Sequence, residues 1–294
     1  MIARNNSGLW SRSVLLRICV AVPPYCALAV LAPAARCARQ ETTPTQADSL
    51  YSDGVAALKR GDLVEAREAF EEIVKRNPND AKAQNLLGLI LFSQGETKSA
   101  LPHLRAAVRL NPGSAEAHRT LSTALLQAGE TKGALAEARE AVRLAPQSAD
   151  AQFALARALD VSGDIAGSKD ALRKALEIAP NRYDLHDALG SVYATENDSS
   201  EATGEFLTSI KLKPDFAASH LHLGVIYYEA KNFREAATQL EIATQLDPQS
   251  APAFYYLGLA RRDSGDSAGA SRMTSRKAAA ASCGWAPRCK SSPS

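Results

Sequence analysis

The body of this chain has no cysteine. Cys19, Cys26 and Cys37 stand near the start and Cys283 and Cys289 near the end of the 294 residues, with none between 38 and 282. That span therefore forms no disulfide, offers no thiol nucleophile and contains no paired-cysteine metal site. Aromatic residues are also scarce, 6% against 46% hydrophobic. The apolar content is mostly Ala, Leu and Val, which suits closely packed helices better than strands. Acidic residues are missing from both ends: residues 1–40 carry five Arg, and residues 272–294 carry five Lys or Arg, with no Asp or Glu in either. That leaves 24 Lys and Arg against 32 Asp and Glu, a net charge of −8, for residues 41–271. An acidic body lacks the basic face that a phosphate backbone requires, so nucleic acid is not an expected partner.

The acid-free start reads as an export signal. Arg4, Arg12 and Arg17 precede an apolar run from Ile18 to Leu31, and Ala32-Pro33-Ala34 supplies small residues at a cleavage site. The run is 14 residues long, short of the roughly 20 that span a membrane. Cleavage near Ala34 would remove residues 1–34 and leave 35–46 as a linker. An Arg directly before Cys37 argues against a lipoprotein signal. A mitochondrial presequence and an uncleaved membrane anchor are the alternatives. Membrane contact is expected only through that uncleaved segment.

What the chain has in abundance is regularity. Prolines stand at 78, 112, 146, 180, 214 and 248, each 34 residues after the last. Aligned on that period, the rows are 47–80, 81–114, 115–148, 149–182, 183–216, 217–250 and a shorter seventh, 251–281. The eighth column reads Gly54, Gly88, Ser122, Ala156, Gly190, Gly224 and Gly258; the twentieth reads Ala66, Ala100, Ala134, Ser168, Ala202, Ala236 and Ala270. Small residues at fixed columns mark where two helices approach closely. Between these columns lie Gly61-Asp62, Gly95-Glu96, Gly129-Glu130, Gly163-Asp164, Asn197-Asp198, Lys231-Asn232 and Gly265-Asp266. Gly and Asn tolerate the left-handed conformation that ends a helix, and an acid favours the start of the next. Each row reads as helix, tight turn, helix, and then a proline that cannot continue the second helix.

The small eighth residue, Ala at twenty, a large apolar residue at twenty-four and Pro at thirty-two resemble the tetratricopeptide repeat over residues 47 to about 281. The resemblance implies an all-α, right-handed superhelical solenoid of antiparallel helix pairs, with six full repeats and a degenerate seventh. One unit cannot bury its apolar stripe alone, and neighbours bury it for each other. In row seven, Thr274 and Lys277 replace apolar or small residues and Ser282 replaces proline, as expected of a polar cap. Residues 282–294 read as a disordered tail, in which Cys283 and Cys289 either pair or stay free.

Catalytic and metal chemistry are not expected, and neither is a cofactor. Gly265-Asp-Ser267-Ala-Gly269 fits the nucleophile-elbow pattern, but that elbow needs a strand leading into it, and here it fills a helix–turn–helix corner. His118, His186 and His220 share column four and are expected to pack or edge the groove, since equivalent positions in separate repeats diverge too far for one metal. Asn197-Asp-Ser199 matches a glycosylation sequon within a repeat turn.

The resemblance implies a concave groove lined by the first helix of each unit, at columns two, five, nine, twelve and thirteen. Those columns give Tyr51, Val55, Asn85, Leu89 and Phe92 in rows one and two. Rows three to five give Arg119, Thr123, Arg157 and Asp187, and rows six and seven give Leu221, Val225, Tyr228, Tyr255 and Leu259. The expected surface is two apolar patches around a charged centre, suited to a peptide or partner helix. The carboxylate clamp that family members use for acidic chaperone tails is absent, because Tyr51, Val55, Leu86, Glu116 and Thr120 occupy its positions. The expected function is a non-enzymatic protein–protein interaction scaffold, exported and periplasmic or extracellular. The alternative is an accessory subunit presenting substrate to a glycosyltransferase or envelope-assembly enzyme acting in trans.

Overall fold

A computed structural model describes residues 46–265. The export signal, row seven's second helix, the Ser267 elbow, all five cysteines and the tail lie outside the described residues. Within them the chain forms thirteen α-helices and no strand. Repeat 1 is α1 (Gln46–Arg60) and α2 (Leu63–Arg76), and repeat 2 is α3 (Ala81–Ser93) and α4 (Thr97–Leu110). Repeat 3 is α5 (Ala115–Gln127) and α6 (Thr131–Leu144), and repeat 4 is α7 (Ala149–Ser162) and α8 (Ile165–Ile178). Repeat 5 is α9 (Tyr183–Thr195) and α10 (Ser199–Leu212), repeat 6 is α11 (Ala217–Glu229) and α12 (Phe233–Leu246), and α13 (Ala251–Asp263) opens the seventh.

The turn inside each hairpin follows its residues. Gly61, Gly95, Gly129 and Gly163 take positive φ, as do Asn197 and Lys231 at 62° each. In repeat 6, therefore, the left-handed position falls to Lys231 and not to the neighbouring asparagine. The acid that follows caps the second helix only where it is short. Asp62, Asp164 and Asp198 accept the backbone N–H of Glu65, Gly167 and Glu201, whereas Glu96 and Glu130 make no cap bond. One extra methylene carries the glutamate carboxylate past its own helix. Both glutamates pair instead with the preceding repeat, Glu96 with Arg67 at 2.7 Å and Glu130 with Arg105 at 2.8 Å.

Columns eight and twenty-four exchange volume. A Cβ built on Gly54, Gly88, Gly190 or Gly224 would fall 2.9, 2.5, 2.7 or 2.6 Å from the side chain of Phe70, Leu104, Phe206 or Leu240 respectively. Those four large side chains are 0 to 1% exposed, so each glycine is the room its partner occupies. Repeat 3 departs from the arrangement. It holds Ser122 in column eight and Ala138 in column twenty-four, both fully buried, and the Ser122 hydroxyl donates 2.8 Å to the Ala134 carbonyl.

Column four fastens each repeat to the one before. Gln84, His118, Gln152, His186 and His220 bond the carbonyls of Pro78, Pro112, Pro146, Pro180 and Pro214 at 2.9, 3.0, 3.3, 2.9 and 3.0 Å. Proline thus has two uses. It ends the helix for want of an N–H, and its carbonyl anchors the following repeat. The other polar atom of four of these side chains meets column twenty-three: His103 on Gln84, Glu137 on His118, Glu205 on His186 and Gln239 on His220, at 2.6–2.8 Å. These histidines are bound into the frame of the stack.

The curvature follows from which helices touch. First helices approach their neighbours in two series, α3–α5–α7 and α9–α11–α13, while second helices of adjacent repeats make no comparable approach. A stack that crowds its first helices and spreads its second ones curves toward the first. The face they line is therefore concave.

Candidate functional site

The fourteen groove candidates lie on seven first helices and differ sharply in exposure. Arg157 on α7 and Tyr255 on α13 are exposed, the tyrosine by 51%. Tyr51, Val55, Leu89, Phe92, Arg119, Thr123, Leu221, Tyr228 and Leu259 are half-buried. Asn85, Asp187 and Val225 are buried, at 7, 8 and 3% exposure. Val225 offers a ligand almost no surface.

At the amino-terminal end, the apolar residues serve mainly as packing. Tyr51 sets its ring edge-on to Phe70 at 5.5 Å, and Val55, Leu58 and Phe92 pack on the buried cluster of repeats 1–3. Burial, then the charges of Asp80 and Glu116, push the Tyr51 phenol above its ordinary pKa, so it remains a neutral hydroxyl.

The centre divides into engaged and unengaged charge. Arg182 joins repeats 4 and 5, pairing with Asp150 and, at 2.5 Å, with Asp184. Burial works against ionising Asp184, but the hydrogen bonds and charge of Arg182 outweigh it and hold this carboxyl below its ordinary pKa. Asp187 accepts 2.7 Å from Ser219 and 2.9 Å from His222 Nδ1, and Ser219 shares a 2.7 Å bond with Ser209. That network sews repeat 5 to repeat 6 and occupies the Asp187 carboxylate. Arg119 and Arg157 make no ion pair with any described residue, and their guanidinium groups are the cations this centre presents.

At the carboxyl-terminal end, Tyr228 lies 5.6 Å from Phe233 and 6.0 Å from Tyr256, and Tyr255 lies 5.4 Å from Tyr256. The Tyr228 hydroxyl donates 2.8 Å to Asp263. Burial, followed by that bond, raises its pKa. This is a continuous aromatic strip with Tyr255 outermost. Among the described residues, no group of three His, Cys, Asp or Glu side chains is placed to hold a metal ion, and no helix is long and apolar enough to cross a membrane.

Two features of the site go beyond the column reading. Gln84 and Gln152 share the histidines' role at column four, a signal present in the alternation of His and Gln down that column. The second is a cavity beside Asn85, which depends on how three repeats meet and has no counterpart in the period.

Stacked helix pairs with a concave face of first helices define a repeat-built binding module. One family model of the tetratricopeptide repeat matches residues 51–115, 188–251 and 227–271, and a second model of that repeat matches 125–192. The chain belongs to the tetratricopeptide repeat family. No curated protein matches the sequence. Among solved structures, a chain of the APC/C hetero-tetramer Cut9-Hcn1 superposes with a TM-score of 0.69 at 18% identity, over 74% of this chain and 44% of that one. This chain thus spans less than half of that one's length. PilF of Pseudomonas aeruginosa gives 0.58 at 22% identity, over 66% of this chain and 88% of its own. TTC0263, a thermophilic TPR protein of Thermus thermophilus, gives 0.56 at 21% identity, over 61% and 98%. Identities this low establish a shared fold.

Proposed function

We propose that this protein is a non-enzymatic scaffold that holds an extended segment of a partner protein along its concave face. The carrying observation is the pairing of cations free of ion pairs with a partly exposed aromatic strip on that one face. Arg119 and Arg157 present charge at the centre, and Tyr228 and Tyr255 present rings at one end. Aromatic and arginine side chains dominate binding energy at protein interfaces. We further propose that the protein is exported, on the strength of the basic residues, apolar run and small-residue site before Ala35. Its partner then belongs to the envelope or the extracellular space.

The test is Tyr228→Ala combined with Tyr255→Ala in the full chain, with partner affinity measured once a ligand is in hand. A loss of about tenfold or more is expected, as for truncated aromatic anchors. Unchanged affinity in a folded variant would remove the aromatic strip from the site.

A further inference from the structure

The seventh repeat is followed by a segment whose chemistry matches the face beside it. Residues 282–294, outside the described residues, carry Trp285, Arg288 and Lys290 and no Asp or Glu. The period says where that segment starts. In repeats 4 and 5 the last column returns to the start of the same repeat's first helix. Arg182, in column thirty-four, pairs with Asp150 in column two, and Phe216, in column thirty-four, sets its ring 4.8 Å from Tyr183 in column one. Column thirty-four of repeat 7 is Gly284, so the same path brings Trp285 to the start of α13. Tyr255 stands about one helical turn into α13 and is the one exposed aromatic ring among the described residues.

Charge favours a basic segment at this end. The first helices α1, α3 and α5 together hold four Lys or Arg against three Asp or Glu. By contrast, α9 and α11 hold Asp184, Asp187 and Glu229 and no Lys or Arg. The cations of α13 are taken up, Arg261 by Glu241 and Arg262 by Asp263. Glu229 is exposed, yet burial raises its carboxyl above its ordinary pKa and no cation draws it back down. It therefore faces the hollow of the stack, where an arriving cation would stabilise its charge. Tyr255, Tyr256 and Tyr228 lead toward it ring to ring at 5.4 and 6.0 Å. The chain from Trp285 to Arg288 or Lys290 spans roughly 10–17 Å when extended, which covers that strip.

We propose that residues 282–294 occupy this end of the groove in the free protein, with the Trp285 indole on Tyr255 and Arg288 or Lys290 paired with Glu229, so that a partner must displace them to reach the aromatic strip. A segment tethered this closely acts at an effective concentration on the millimolar scale, which favours it over a free peptide or a second copy of similar chemistry. The inference rests on reading the concave face as the partner site and adds its regulation.

The probe is Trp285 itself. In the full chain carrying Trp10→Phe it is the one tryptophan left, and its emission maximum and acrylamide quenching can be compared with those of a synthetic peptide of residues 282–294. Emission to the blue of the peptide's, with weaker quenching, is expected. Tyr255→Ala should move both most of the way to the peptide's values. Glu229→Gln should release the segment about threefold, the scale of an exposed ion pair. Unchanged helical circular dichroism would show that both variants keep the stack. Emission equal to the peptide's in the unaltered chain would overturn the docking. Protected emission that neither substitution moves would put Trp285 elsewhere and overturn the site. Protection lost on dilution would make the occupant a second copy's segment and overturn the intramolecular assignment. In each of these cases, partner affinity that still depended on Tyr228 and Tyr255 would leave the groove reading standing.

Discussion

Repeats 3 and 5 build the same hairpin from different amounts of side-chain volume. In repeat 5, Gly190 stands aside for Phe206, whose ring fills the space between α9 and α10. In repeat 3, Ser122 and Ala138 share that space evenly, and the Ser122 hydroxyl spends its hydrogen bond on the Ala134 carbonyl. The difference teaches that the repeat requires a small residue in column eight and leaves the volume in column twenty-four free. Buried clusters centre on repeats 1–3, 4–6 and 6–7, and α6, whose buried residues are Ala134, Ala138 and Ala141, adds only Ala134 to the first of them.

The sharpest way to break this comparison is to delete the large partner. Phe206→Ala should cost about 3–5 kcal/mol, as for other buried aromatic truncations. Denaturant unfolding would measure it, and the destabilisation should localise to repeat 5 in hydrogen exchange. A cost near 1 kcal/mol would mean that the hairpin is held elsewhere.

Filling repeat 3 comes next. Ala138→Leu alone should cost about 1–3 kcal/mol through overpacking against Ser122. Adding Ser122→Gly should return most of it by recreating the arrangement of Gly88 and Leu104. The coupling energy of this double-mutant cycle is the quantity to measure. Additive costs would show that columns eight and twenty-four do not share one space.

The smallest effect lies in the turns. Repeats 1 to 4 use glycine at the left-handed position, repeat 5 uses Asn197 and repeat 6 uses Lys231. A lysine there carries a Cβ penalty that glycine lacks. Lys231→Gly should therefore stabilise by about 0.5–1 kcal/mol, raising the thermal midpoint, and the same change at Asn197 should do less because Asn tolerates this conformation better.

Most of this fold is legible in the amino-acid sequence, because a solenoid writes its geometry into a period. Six prolines and two columns of small residues are enough to place every helix. The groove is less legible, and the reason lies in particular residues. Columns five and nine face the groove but also touch the neighbouring first helix, and the period does not say how far that neighbour covers them. Val225 is buried, and Asp187 is drawn into bonds with Ser219 and His222 of the next repeat. Asn85 carries the same lesson in reverse. It is equally buried, yet no neighbour answers its oxygen. Column four is legible as packing, but the bond to the preceding proline carbonyl emerges only when two repeats are set side by side.

The central claim is that the first-helix face does the binding. A photo-crosslinking amino acid placed at Arg157, on the concave side, can be compared in the native host with one at Lys132, also exposed, on the second helix of repeat 3. The account predicts a discrete crosslinked partner from position 157 and none from position 132. A partner captured from 132 but not from 157 would place the binding surface on the opposite face and contradict it.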